Sequence, residues 1–324
     1  MRPGPGGPGK GRLLITVVGE SLVDLIEDPS GEAVAHPGGS PANVAVALAR
    51  LGQPTTLLTQ FGDDAYGGLL RAHFTSSGVQ LDPASVQDLP RTSVARTRVG
   101  ADGQARYDFA IDWPSLPNGP VAGVADASRC LHTGSLATIL EPGADDVLAL
   151  VRDRRASMMI SYDPNCRPSL SPDGVHAGRR VEELVAVSDL VKVSREDLDW
   201  LHPGQPPERV ARRWLELGAN LVVVTLGADG ALAVTRRGVR RVAAPRVAVV
   251  DTVGAGDAFT AGLLAALSER DLLGAARRPA LRAAGPEALA ALLTDAVRVA
   301  AWTCGRRGAD PPTRAALASL PAPA

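Results

Sequence analysis

The chain has 324 residues, 45% of them hydrophobic and 21% charged, and its 34 Lys+Arg against 35 Asp+Glu leave a formal net charge of −1. That apolar content fills one large domain with an appendage, or two domains, and excludes disorder, which needs low hydrophobicity and high net charge. The neutral balance also excludes a general nucleic-acid or anionic-membrane binder, both of which need a basic field.

No run of about 20 apolar residues occurs, so no membrane span is expected. Cys130, Cys166 and Cys304 form no CxxC pair. They read as reduced thiols of a cytoplasmic protein rather than a disulfide scaffold or a zinc site. Lysine occurs only at Lys10 and Lys192, so any chemistry needing an internal lysine has one candidate.

Residues 1–11 read as a flexible leader. Gly4 to Gly11 nearly spells a phosphate-binding loop, but Gly11 stands where a hydroxyl should be, and the segment precedes the first strand instead of following one. Apolar runs at 13–18, 55–59, 129–133, 157–162, 189–193 and 221–225 predict strands covered on both faces, as in a parallel sheet. Stretches at 42–51, 144–153, 207–218 and 255–267 predict helices, the third with Val210, Trp214 and Leu217 on one face. The alternation predicts a doubly wound α/β fold with a mostly parallel sheet flanked by helices. Residues 91–113 break the rhythm: two alternating runs around Asp102-Gly103 predict a hairpin. With a further strand from residues 31–39, it would form a small β-sheet lid.

Three segments carry candidate chemistry. Val247–Val250 reads as a strand that ends in a Gly-rich turn, Gly254-Ala255-Gly256, where a helix begins at once with Asp257 in its first turn. Helix-start N–H groups and the helix dipole attract an anion, and residues with little side chain let it approach the backbone. Asp257 beside that anion suits a proton acceptor. It also reads as an ordinary N-terminal acid after a tight turn. Gly38-Gly39-Ser40-Pro41-Ala42-Asn43 opens another helix. Asn43 suits a polyol, while Ser40 and Pro41 read equally as N-cap and first helical residue. Thr225 to Gly230 is a small-residue turn at a strand end, either a ligand site or a plain hairpin.

Together these segments resemble the two signatures of the ribokinase/PfkB-type carbohydrate kinases. Gly19-Glu20-Ser-Leu-Val-Asp24, Asp163-Pro-Asn165-Cys-Arg167 and Arg307-Gly308-Ala309-Asp310-Pro311-Pro312 match as well. The resemblance spans residues 12–316 and implies a ribokinase-like fold, with a core at 12–21, 37–90 and 114–324 and a lid at 22–36 and 91–113. It implies transfer of the γ-phosphate of ATP to a sugar hydroxyl. Asp257 would be the base and the backbone of Gly254, Ala255 and Gly256 the anion hole. Asp24, Gly38, Gly39 and Asn43 would bind sugar, and Arg167 an anion. Ser194, Thr225, Gly227, Gly230 and Gly256 would face ATP. Asp197 would stand near Mg²⁺, in a Ser-x-x-Asp pattern where the family often has Asn-x-x-Glu. Asp251, Val253 and Gly308 would hold a monovalent cation such as K⁺.

Gly-Gly-Ser-Pro-Ala-Asn and His132-Thr-Gly134-Ser135 look most like fructokinases. 2-Keto-3-deoxygluconate kinases share much of this, with Arg96, Arg98, Arg106 and Arg167 as candidate carboxylate contacts. A ribose or nucleoside kinase of the same family is a further alternative, and a catalytically silent sugar-binding regulator is the reading from another class. The implied partners are sugar and ATP, with a homodimer paired through the lid.

Overall fold

A computed structural model describes residues 14–27, 32–99, 105–116, 127–171 and 173–319. The expected leader and the Asp102-Gly103 turn lie outside them. The strands in chain order are β1 (Leu14–Val18), β2 (Leu22–Glu27), β3 (Ala33–Gly38), β4 (Thr55–Leu58), β5 (Gln60–Gly62), β6 (Gln80–Leu81), β7 (Val86–Leu89), β8 (Val94–Val99), β9 (Ala105–Ala110), β10 (Ser128–Gly134), β11 (Met159–Asp163), β12 (Leu190–Ser194), β13 (Leu221–Thr225), β14 (Ala231–Val234) and β15 (Val239–Val242). The helices are α1 (Ser40–Arg50), α2 (Ala65–Ser76), α3 (Gly143–Arg154), α4 (Gly174–Val187), α5 (Arg195–Leu201), α6 (Pro207–Leu217), α7 (Ala255–Glu269), α8 (Arg278–Arg282), α9 (Pro286–Cys304) and α10 (Arg314–Ala318).

Nine strands form the main sheet in the order β15-β14-β13-β12-β11-β10-β1-β4-β6. It is parallel from β6 to β13, and β14 alone is reversed, pairing antiparallel with both β13 and β15. The apolar runs behave as two-sided strands should. On β12 and β13, Leu190, Leu221 and Val223 join the core on one face, and Val191, Val193, Val222 and Val224 join the other. Helices α1, α7 and α9 cover the first face, and α4 and α6 the second. Each fully buried Leu or Val contributes about 1.5–3 kcal/mol relative to exposure.

From β1 the chain winds outward through β4 to β6, then returns to β10 on the other side of β1. The strand order therefore reverses between β1 and β10. Such a reversal opens a crevice beyond the carboxyl ends of the strands, where doubly wound sheets bind ligands. A second sheet, β3-β2-β8-β9, stands apart from the first.

Two local expectations are corrected. Residues 243–249 have no regular structure, so the expected strand at Val247–Val250 does not form. Val247, Val249 and Val250 are 43%, 64% and 56% exposed. This segment lies past edge strand β15 and is held by Val250 and Asp251 N–H donation to the Cys304 carbonyl. On α6, Val210 and Trp214 are buried, joined by Ala211 and Leu215, whereas Leu217 is 38% exposed. Leu217 ends the helix at Gly218, where the chain turns toward β13, so it falls outside the packed face.

Candidate active site

Helix α7 starts on Gly254, whose φ of 71° is left-handed and whose missing Cβ would stand 2.5 Å from the Ala309 β-carbon. The turn is therefore open only to glycine. The first-turn N–H groups of Gly256 and Asp257 come before any intrahelical acceptor and make, with the dipole, a mouth suited to an anion.

Asp257 is 7% exposed at that mouth. Its Oδ1 accepts from Ser40 Oγ at 2.7 Å and its Oδ2 from Asn43 Nδ2 at 2.8 Å. Burial pushes its pKa up to about 6, against the pull of those two hydrogen bonds and of the Lys192 charge. At neutral pH it is thus an ionised, oriented carboxylate of raised basicity, suited to take a proton. Ser40 has no capping role. Gly39 is the N-cap of α1, Ser40 is the first helical residue, and its hydroxyl is used across the interface.

Of the predicted sugar residues, Asp24, Gly38 and Gly39 lie along β2, β3 and the start of α1. Asp24 sits half-buried on β2, opposite His36 on β3. A Cβ on Gly38 would stand 2.2 Å from Asp24 Oδ2, and one on Gly39 2.5 Å from the Glu20 carbonyl oxygen. Both glycines therefore make room for the neighbouring chain. Burial raises the Asp24 pKa, and the charges of Arg167 and His36 oppose it. Arg167 is exposed, and its Nη1 donates to Asn165 Oδ1 at 2.6 Å.

Glu20 was not singled out by sequence reasoning. It is 2% exposed, and its Oε2 accepts from the Ala137 N–H at 2.9 Å, bridging the crevice. Burial pushes its pKa up to about 7. The neighbouring Ser135 has a left-handed φ of 54°. An acid directly after the first strand was the available signal.

Lys192 and Asp163 lie beneath the mouth. Lys192 Nζ donates to Asp163 Oδ2 at 2.8 Å, with both side chains buried. Sequence reasoning isolated the lysine without giving it a partner.

Among the residues expected to face a nucleotide, Thr225 ends β13. Gly227 and Gly230 follow at φ 56° and 92°, and a Cβ on Gly230 would stand 2.0 Å from the Val242 carbonyl oxygen. Ser194 caps α5. Asp197 is committed within the protein: Oδ1 accepts from the Cys166 N–H, and Oδ2 from the Ser194 N–H and hydroxyl. It offers no bare oxygen to an ion, and a contact through water is what remains open to it. Among the described residues, no group of three or more His, Cys, Asp or Glu could hold a metal. Asp251 joins two loops, with Oδ1 accepting from Val253 N–H at 3.0 Å and Oδ2 from Gly308 N–H at 2.8 Å. Asp251, Val253 and Gly308 thus stand together.

The description "pfkB family carbohydrate kinase" matches residues 12–316. The chain is 37% identical over 267 residues to a fructokinase from Rhizobium leguminosarum bv. trifolii, covering 80% of this chain and 81% of that one. It superimposes on a fructokinase from Xylella fastidiosa with bound ATP at a TM-score of 0.79, with 26% identity and coverage of 94% and 97%. A double-mutant fructokinase from Vibrio cholerae O395, solved with fructose, ADP and potassium ion, gives a TM-score of 0.74 at 27% identity, covering 96% of each chain.

Proposed function

The chain belongs to the pfkB family of carbohydrate kinases, and we propose that fructose is the sugar this ATP-dependent kinase phosphorylates. The reaction is phosphoryl transfer to an alcohol group. A primary hydroxyl attacks the γ-phosphorus of ATP and passes its proton to Asp257. The new O–P bond forms as the bond to the β,γ-bridging oxygen breaks, and ADP leaves with that oxygen and its electron pair. Such transfer depends on alignment and charge stabilisation more than on covalent help. The Gly254–Asp257 mouth supplies the N–H donors. Asp24 and Asn43 orient the sugar hydroxyls, with Gly38 and Gly39 keeping the wall thin. Thr225, Gly227 and Gly230 flank the nucleotide, with Ser194 nearby.

The register of the second sheet carries the choice of a neutral sugar over a sugar acid. Asp24 pairs with Ala95, which pairs in turn with Phe109, whereas Arg96 and Arg98 pair with Leu25 and Glu27. Side chains alternate along a strand, so these two arginines project from the face opposite Asp24. Arg98 is spent there on Glu27, with Nε 3.1 Å from Oε2. The Arg106 side chain lies outside the described set. The similarity to fructokinases adds independent support.

Magnesium would arrive on the nucleotide phosphates and there offset their charge. Asp251, Val253 and Gly308 would hold K⁺ chiefly through backbone oxygens. The second sheet acts as a lid that excludes water, which would otherwise consume ATP. Its Asp24 face continues into the exposed cross-strand pair Ile26 and Val34, an apolar surface suited to the lid of a second copy in a cytoplasmic homodimer.

The test is ADP release over fructose, tagatose, ribose, 2-keto-3-deoxygluconate and nucleosides, with and without K⁺. Fructose should give the highest kcat/KM. A preference for 2-keto-3-deoxygluconate would return the specificity to Arg167 and overturn the fructose assignment.

A further inference from the structure

Lys192 is one of two lysines in the chain, the other basic side chains outside histidine being arginines. It projects from β12 into the face covered by α7 and is 4% exposed. Its Nζ lies 3.1 Å from where a β-carbon on Gly256 would stand, so the ammonium sits directly beneath the anion mouth. Among the described residues Asp163 Oδ2 is its one hydrogen-bond acceptor, which leaves two of three N–H donors for another partner. The other oxygen, Asp163 Oδ1, is buried without a hydrogen bond. Thr260 Oγ1 donates to the Gly256 carbonyl at 3.1 Å and lies 3.4 Å from Asp163 Oδ2, tying the pair to the first turn of α7.

A buried ion pair is weak evidence for stability, because apolar residues of similar size often serve as well or better. This one has donors to spare and stands at a glycine turn built for an anion. A compact ammonium also fits beneath a glycine where a planar guanidinium is wider. Burial alone would lower the lysine pKa. The charge and hydrogen bond of Asp163, with Asp197 and Asp257 further off, instead raise it, so the group stays cationic.

We propose that Lys192 is the protein's fixed cation for phosphoryl transfer, touching the transferred group from beneath Gly256 while Asp163 holds it in place. This rests on the kinase reading. In that reaction negative charge spreads over the equatorial oxygens of the transferred group. The first-turn N–H groups meet these oxygens from the helix side, and Lys192 adds a full charge in a water-poor site, where it acts most strongly. Asp197, already committed to Ser194 and Cys166, does not attract the ammonium away.

Two variants separate this role from mere neutralisation of Asp163. Lys192→Met leaves Asp163 buried and unpaired. The double variant Lys192→Met/Asp163→Asn leaves no unpaired buried charge, and it carries the test if the single variant does not fold. With ATP and fructose, both should lose about 100-fold or more in kcat, while calorimetric affinity for fructose and for AMP stays within about threefold of wild type. Recovery of the double variant to near wild-type turnover would show that the lysine only neutralises Asp163, and would overturn the proposal. So would a single variant that keeps its turnover. Should wild type consume no ATP with any sugar, the kinase reading fails by itself. Lys192 is then judged by binding: the double variant must lose affinity for a non-hydrolysable ATP analogue by about tenfold or more relative to AMP, and equal losses on both would reject it.

Discussion

Ser40 Oγ donates to Asp257 Oδ1 at 2.7 Å, across 217 positions of sequence. Asn43, one turn further along α1, donates to the other oxygen at 2.8 Å. The amino-terminal turns of α1 and α7 thus converge on one carboxylate. One helix belongs to the predicted sugar signature and the other to the predicted phosphate signature. The carboxylate is fixed before any substrate arrives, which is what a proton acceptor in an aligned transfer requires.

Asp257→Asn should therefore remove the base and little else. Its side chain is close in size to the carboxylate and keeps an oxygen to accept from Ser40 or Asn43. Loss of a positioned base costs about 10²–10⁴-fold in rate. The expected result is that fall in kcat by ADP release, with ATP and fructose still bound in calorimetry. A variant retaining a tenth of wild-type turnover would remove Asp257 from the role.

The pH profile follows from the same residue. Asp257 must be ionised to accept a proton, and its pKa in the free protein is raised to about 6. The kcat/KM for sugar, which reports the free enzyme, should be level above that value and fall as pH drops through it. A profile level down to pH about 4, the ordinary carboxylate range, would mean that burial does not tune this group.

Much of the fold was legible because a parallel strand buried on both faces is mostly apolar along its length, and β1, β4, β10, β11, β12 and β13 all carry such runs. The two glycine turns before α1 and α7 were legible for the same local reason. Pairings were not. Ser40-Pro41 satisfies helix-start rules by itself, so nothing local revealed that the hydroxyl serves Asp257. Lys192 meets Asp163 only because β11 and β12 are neighbours, which is a property of sheet order. Val247–Val250 was misread because an apolar run has the same pattern whether it pairs in a sheet or lies over a helix end. The lid arginines alternate with their neighbours, but only the register with β2 says which face carries Asp24.

Gly38→Ala should mimic Asp24→Ala. A β-carbon at 38 would stand 2.2 Å from Asp24 Oδ2, so that carboxylate must leave its place. Both variants should raise the KM for sugar by about tenfold or more, the cost of one charged hydrogen-bonding partner, with the KM for ATP nearly unchanged. Equal effects on both substrates would count against a sugar-binding Asp24.

Glu20 gives the fold its own pH dependence. Its folded pKa is raised from 4.5 to about 7 by burial, so the folded state binds a proton that the unfolded state has released between those values. Its stabilising contribution is full below about 4.5 and is lost as pH rises through about 7, a swing of order 3 kcal/mol. Thermal melts from pH 5 to 8 should show Glu20→Gln less sensitive to pH than wild type, with the difference closing toward pH 5. Parallel curves would refute this assignment.

The last expectation concerns the opposite end of the sheet. Asp189 is 1% exposed and accepts from Arg278 Nε at 2.7 Å, Arg278 Nη2 at 3.0 Å, Asn220 Nδ2 at 2.9 Å and the Ile160 N–H at 2.9 Å. Arg278 also donates to the Met158 carbonyl, so one carboxylate joins α8 to the starts of β11, β12 and β13. Removing one partner of a buried pair leaves the other charge uncompensated and costs about 3–5 kcal/mol. Asp189→Ala should lose that much in urea unfolding, and Arg278→Met, which leaves Asp189 buried, a similar amount. The double variant should lose less than the two added together, because neither charge is left alone. Since the cluster is remote from the carboxyl ends of the strands, turnover measured on the folded fraction should stay at the wild-type value. A fall in kcat at full folding would show that the clamp at this end of the sheet is coupled to the mouth of α7.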